Sequence, residues 1–353
     1  QAPIPNVPAS PRACRALRPC MRTPSHPSRA PSRTRRGPPG FCQSIVDVLG
    51  CRTQRRCPKC GDGGLFHDLH HLLPWSATDG DEKEEEDGSE SDGGDLEWHP
   101  PTYVEAGVKY TGQWRGNVRH GEGVLERPDG GRYHGQFRQA KAHGHGKFVG
   151  ANGNTYEGQW IAGKAHGEGT FTKPNGSHYT GEWVNDQKSG RGSETWSNGS
   201  CYTGQYLLGK KHGEGIYLQP NELQYEGQFI YDKIHGEGTY HWLGSDSRVY
   251  VGQWKDGEMS GKGRITWSSG ASYEGTYLDN KKSGQGVFTW SDGRVYRGEW
   301  SEGRQHGRGE LFDKIGKLTT RGTWYHGQLV SNEVHHSAER ASQEEAPTES
   351  STG

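Results

Sequence analysis

The chain has 353 residues, a formal net charge of −1 and only 29% hydrophobic residues. So little aliphatic material excludes a thick core of Leu, Ile and Val, and the near-zero charge singles out no class of partner. Glycine, at 56 residues, is about twice its usual share and shows no period of three, while 12 Trp and 16 Tyr are too many for simple disorder. Large flat rings must do the packing.

Residues 1–60 hold twelve Lys/Arg against one acid, Asp47, and residues 1–40 hold ten prolines. Such a segment buries no core and reads as disordered. Further on, "GLFHDLHHLLPW" spaces Leu65, Leu69 and Leu72 as a short helix would. Cys57-Pro-Lys-Cys60-Gly has the form of a zinc knuckle, and Cys51, His67, His70 and His71 are ligand types nearby. The six residues between Cys60 and His67 are short for a finger and a second pair is missing. Neither a metal nor another cofactor is therefore expected, and Cys57, Cys60, His67 and His71 stay weak candidates. Residues 79–97 hold eleven acids against Lys83, which marks an acidic linker. The organisation read from composition is a Pro/Arg/Cys-rich, mostly disordered region at 1–75, the linker at 76–107, an array at 108–330 and a disordered or weakly helical tail at 331–353.

No run of about 18 apolar residues suggests a transmembrane helix, and no apolar leader is visible, although an opening Gln1 suits a piece of a longer protein. Six of the seven cysteines lie in the first 60 residues, so the body is not built on disulfides and an intracellular setting is expected.

From Tyr110 the sequence repeats. Each unit opens Y-x-G-x-(W/F/Y), runs through several polar residues and closes on G-x-G. The leading tyrosines are Tyr110, Tyr133, Tyr156, Tyr179, Tyr202, Tyr225, Tyr250, Tyr273 and Tyr296, 23 residues apart except for one gap of 25. Their partners four residues on are Trp114, Phe137, Trp160, Trp183, Tyr206, Phe229, Trp254, Tyr277 and Trp300. A tenth, degenerate unit has Thr320 in the tyrosine slot and keeps Gly322 and Trp324. Tyr156, Gly158 and Trp160 alternate with Glu157 and Gln159, a period of two that marks a half-buried strand. Gly167, Gly169 and Phe171 do the same on the return. "RPDGG", "KPNGS" and "WSDGR" separate the units, and their Asn-Gly and Asp-Gly pairs suit tight hairpin turns. The expected fold is all-β: an elongated, twisted, single-layer antiparallel sheet of tandem hairpins, roughly 85 Å long. One face packs aromatic rings over glycines, and the Glu/Gln face meets water.

The pattern, "YEGQWIAGKAHGEGTFTKPNG" above all, resembles the MORN repeat (membrane occupation and recognition nexus), across residues 110–311. Such arrays occur in radial-spoke head proteins, plant-type phosphatidylinositol phosphate kinases, junctophilins, alsin, a lysine methyltransferase and apicomplexan scaffolds. The resemblance implies an extended platform for binding or dimerisation, with lipid binding proposed for several members.

The chain shows no G-x-x-x-x-G-K-(S/T) and no G-x-G-x-x-G. His120, His143, His166, His212, His235 and His306 share one register with Ser189, Ser260 and Ser283. A histidine that recurs and alternates with serine reads as a hydrogen-bonding loop residue rather than a catalyst. Just before it lie Arg119, Lys141, Lys164, Lys188, Lys210, Lys211, Lys233, Lys281, Lys282 and Arg304, read as loop residues forming one basic edge. That edge suits an acidic protein surface or anionic lipid. The aromatic face is first structural; as a trough it would take a helix, with residues 64–75 as the in-chain candidate. The expected function is a non-enzymatic scaffold for protein partners in a cytoskeletal or axonemal assembly. The alternative is a peripheral module binding anionic phospholipid, the regulatory part of a phosphatidylinositol 4-phosphate 5-kinase-like protein. No nucleic acid is expected, and the open sheet edges allow a homodimer. The corresponding setting is cytoplasmic, on cytoskeleton, cilium or flagellum, or at a membrane surface.

Overall fold

The computed structural model describes residues 94–333. Strand β1 covers Glu97–Glu105. Ten hairpins follow: β2 Val108–Arg115 with β3 Val118–Glu126, β4 Arg132–Arg138 with β5 Lys141–Val149, β6 Thr155–Ile161 with β7 Lys164–Thr172, β8 His178–Val184 with β9 Gln187–Thr195, and β10 Cys201–Leu207 with β11 Lys210–Gln219. The rest are β12 Leu223–Ile230 with β13 Lys233–Trp242, β14 Arg248–Lys255 with β15 Glu258–Trp267, β16 Ser272–Leu278 with β17 Lys281–Thr289, β18 Val295–Ser301 with β19 Arg304–Phe312, and β20 Leu318–Tyr325 with β21 Gln328–Asn332. Each strand pairs antiparallel with the next in sequence, so all 21 form one open sheet. The all-β hairpin architecture is the one the repeat predicts. One boundary differs: β1 pairs with β2 inside the stretch read as linker. The candidate helix at 64–75 and the candidate ligands Cys57, Cys60, His67 and His71 lie outside the described residues.

Two kinds of turn alternate. The Asn-Gly and Asp-Gly stretches are the wider ones. In residues 173–177, Gly176 N–H donates to the Lys173 carbonyl at 3.0 Å, Lys173 N–H to that of Ser177 at 2.8 Å, and Ser177 N–H to Asn175 Oδ1 at 3.0 Å. Gly176 alone takes positive φ, at 86°. The two-residue turns lie inside the units, where sequence reading placed longer loops. Ala162-Gly163, Asn185-Asp186 and Tyr231-Asp232 each have both residues at positive φ, as a type I′ turn demands. These turns are stitched together. The N–H of the second turn residue donates to a carbonyl of the preceding hairpin, as in Gly163 to Ala142 at 2.8 Å and Asp186 to Ala165 at 3.0 Å.

The core is one file of rings. Each leading tyrosine leans along its strand over the glycines of its own hairpin, and its hydroxyl donates to the carbonyl three residues on, as from Tyr156 to Gln159 at 2.9 Å. A Cβ on Gly169 would lie 2.3 Å from the Tyr156 hydroxyl oxygen, so only glycine fits beneath the ring. It is thus the unit's own tyrosine, not a neighbour's ring, that covers the glycine. Tyr156 meets Trp160 of its own strand and Trp183 of the next hairpin edge-on, at 4.9 and 5.3 Å. The same contact recurs without a gap from Trp114 to Trp324, at 4.9–5.8 Å and 77–90°. Each such pair adds about 0.5–1.5 kcal/mol beyond the area it buries.

Candidate functional site

The basic residues fall on strands, not in loops, and the pleat separates them. Lys141, Lys164, Lys210, Lys233, Lys281 and Arg304 are the first residues of their return strands and face away from the rings. Arg119, Lys188, Lys211 and Lys282 come one residue later and turn inward, in the slot that Ala142, Ala165, Ile234 and Met259 fill elsewhere. A single basic edge of ten residues is therefore corrected to an outer row and an inner set. The pairing of two adjacent cations, as in Lys210-Lys211, hides this in the sequence, because neighbours on a strand always point to opposite faces.

On the outer face, each first return residue sits opposite the last residue before the tight turn. Ile161 faces Lys164, Leu207 faces Lys210, Ile230 faces Lys233 and Leu278 faces Lys281. Val184 faces Gln187 in the same row. All five apolar side chains are exposed, as are Leu208 and Tyr231 in the turns themselves, Leu208 to 63%. Lys233 and Lys281 pair with Asp256 and Glu302, whereas Lys141, Lys164, Lys210 and Arg304 have no ion pair among the described residues. The tight-turn edge thus mixes exposed aliphatic side chains with cations, four of which have no ion pair among the described residues. Sequence reading singled out the cations and missed the aliphatics.

The inner cations sit among rings. Lys188 Nζ is 4.8 Å from the Tyr179 ring centre and forms an ion pair with Glu194 at 2.6 Å. Glu194 also accepts the Tyr206 hydroxyl at 3.1 Å. Burial pulls the Lys188 ammonium below its usual range while Glu194 opposes the shift. Lys211 lies over Trp196 at 5.1 Å and Tyr202 at 5.6 Å and reaches Asp232 at 3.8 Å. Arg119 pairs with Glu105 of β1 at 3.6 Å.

The aromatic face offers little reactive chemistry. Burial raises the phenols of Tyr110 and Tyr296 to about 12, and those of the leading tyrosines between them further. The recurrent histidines also lie on strands. His235 Nδ1 accepts from Asp256 N–H at 3.4 Å, but Nδ1 of His166, His212 and His306 is buried with no partner among the described residues. No group of three or more His, Cys, Asp or Glu among the described residues is placed to hold a metal. The strand glutamines have a structural use that the sequence did not reveal. Gln159 Oε1 accepts Glu168 N–H at 2.9 Å and so closes the bulge at Gly167, whose φ is 58°.

The profile of the MORN repeat family matches nine consecutive segments: 110–132, 133–155, 156–178, 179–201, 202–223, 225–243, 250–272, 273–293 and 296–316. They cover more than half of the chain. It belongs to the MORN-repeat family. In this MORN protein the family segments begin at the leading tyrosine and end in the wide turn or on the first residue of the next strand, so each contains one hairpin with its tight turn. β1 and the hairpin of β20 and β21 flank them. A MORN array of this kind is a repeat-based scaffold or a membrane-binding module. No curated protein matches the chain. Among solved structures, a mutant of the TCP10 domain of CPAP from Danio rerio aligns with 64% of this chain and all of its own, at 14% identity and a TM-score of 0.29. The TCP domain of SAS-4 from Drosophila melanogaster, solved with a proline-rich motif of Ana2, aligns with 48% of this chain and 83% of its own, at 10% identity and a TM-score of 0.27. Likenesses this weak carry no argument.

Proposed function

We propose that this MORN array is a non-catalytic scaffold that docks a protein partner along its tight-turn edge, within a cytoskeletal or axonemal assembly. The observation that carries the reading is the row of exposed Ile161, Val184, Leu207 and Ile230 beside Lys164, Lys210 and Lys233. Exposed apolar side chains in register, rimmed by charge, mark an interaction surface. Lys164 and Lys210, which have no ion pair among the described residues, steer an acidic partner. The regular array, of the repeat kind that radial-spoke head proteins also carry, is what favours the cytoskeletal setting. In the test, the full chain is expressed in ciliated cells that are then extracted with detergent. The unaltered protein stays with the insoluble cytoskeleton, and a variant carrying Ile161→Ser, Leu207→Ser, Ile230→Ser, Lys164→Gln and Lys210→Gln is released. Equal release of both would sink the proposal.

The mixture of aliphatic and basic side chains also favours a second reading, a module on anionic phospholipid, as in a phosphatidylinositol 4-phosphate 5-kinase-like protein. Sedimentation with anionic vesicles that falls with salt and is lost in the same variant supports it; no binding to such vesicles counts against it.

A further inference from the structure

Comparison of the hairpins with one another isolates Lys282. Of the four inward cations, three have a carboxylate supplied from within the array. Lys188 takes Glu194, six residues further along its own strand. Lys211 takes Asp232, the second tight-turn residue of the next hairpin. Arg119 takes Glu105 from β1. At Lys282 these supplies fail. The residue six positions on is Phe288, the second tight-turn residue of the next hairpin is Gly303, and Glu302 before it pairs with Lys281. Among the described residues Lys282 has no ion pair.

Its surroundings are rings instead. The ammonium lies 4.4 Å from the ring centre of Phe288, 4.6 Å from Trp300, 5.2 Å from Tyr273 and 5.7 Å from Trp267. Four rings hold the cation in place by its attraction to their faces but supply no counter-charge. Desolvation accordingly pulls its pKa down to about 8. The side chain is half-buried, so an incoming group can still reach it. An acceptor is missing next door as well. Tyr277, directly opposite on β16, has a buried hydroxyl without a hydrogen-bond partner among the described residues, whereas its counterpart Tyr206 donates to Glu194.

We propose that Lys282 is a binding site for a carboxylate from a protein partner, an Asp or Glu side chain that reaches the ammonium from the solvent side and does for it what Glu194 does for Lys188, Phe288 standing where that glutamate would be. The pair of Lys188 and Glu194 shows that a lysine in this register takes a carboxylate among the same kind of rings. A phosphate fits poorly, because one lysine neutralises one charge and the ring faces repel a second. The site lies on the aromatic face, so it stands or falls independently of the tight-turn edge.

The test uses the full chain with ¹³Cε-labelled lysine, the Lys282 signal being identified by its loss in Lys282→Met. A blocked oligoglutamate peptide is titrated in, with oligoglutamine and inorganic phosphate as controls. Oligoglutamate shifts the Lys282 signal and raises its titration midpoint, and oligoglutamine does neither. Phe288→Glu supplies the missing carboxylate from within. It raises the midpoint without peptide and weakens the peptide's effect at least about fivefold. The proposal is overturned if oligoglutamate leaves the Lys282 signal unmoved, if phosphate moves it more than oligoglutamate does, or if Phe288→Glu leaves the peptide's effect unchanged.

Discussion

Gly158 and Gly176 separate two reasons for a glycine. At Gly158 the backbone is ordinary, but a Cβ would lie 2.5 Å from the Glu168 carbonyl oxygen and from Gly169 Cα. Neither atom can move without parting β6 from β7. At Gly176 the space is open and only the positive φ of 86° resists a side chain. Gly158→Ala is thus expected to lose about 3 kcal/mol through forced separation of backbones, and Gly176→Ala about 1 kcal/mol through strain. Urea unfolding of the two variants checks this, and equal losses would refute the packing account. The Tyr-x-Gly spacing made the close ring–glycine contact legible in the sequence. Which ring covers which glycine was not legible, because that depends on the lean of Tyr156 along its own strand.

At the scale of an element, the hairpin of β8 and β9 departs from its neighbours. Where they place Phe148 or Phe171 against the leading tyrosine, it places Glu194, and it answers that charge with Lys188. The pair is buried, with side-chain exposures of 4% and 12%. Removing one member strands the other. Lys188→Met should cost about 3–5 kcal/mol, while Lys188→Met with Glu194→Leu should return to within about 1 kcal/mol of the unaltered chain or exceed it. A double-mutant cycle from thermal unfolding decides; a double variant as unstable as the sum of the singles would show that the pair is not what matters. The hairpins themselves were legible from period-two alternation. Their tight turns were not, since Gln139-Ala140, Leu208-Gly209 and Tyr231-Asp232 carry little of the usual turn signature. Stitching to the preceding hairpin, as from Asp232 N–H to the Lys211 carbonyl at 2.9 Å, is a tertiary contact that holds them in the left-handed region. Misplacing those turns is also why the ten cations read as one edge.

Across the described array, stability rests on the ring file and therefore on neutral phenols. Burial raises their pKa above the ordinary value of 10, to about 12 at Tyr110 and Tyr296. The folded chain then keeps protons that the unfolded chain gives up. The contribution is fully present below pH 10 and is lost as the pH climbs from 10 through 12. Alkaline titration should show tyrosinate absorption and loss of the β-sheet circular dichroism rising together. Ionisation of most tyrosines well before the sheet melts would contradict this. The same file explains why a chain poor in aliphatic residues leaves Ile161, Leu207 and Ile230 outside: the core is already full of rings, and these side chains are left to the tight-turn edge.

That the edge docks a protein is tested most directly by a photo-reactive amino acid placed at Leu208 in the full chain and, as a control, at Thr180 on the outer face away from the edge. Irradiation in ciliated cells followed by mass spectrometry should give polypeptide adducts at residue 208 that are absent at residue 180 and disappear when Lys164 and Lys210 are changed to Gln. Lipid adducts at residue 208, or the same adducts at both positions, would contradict it.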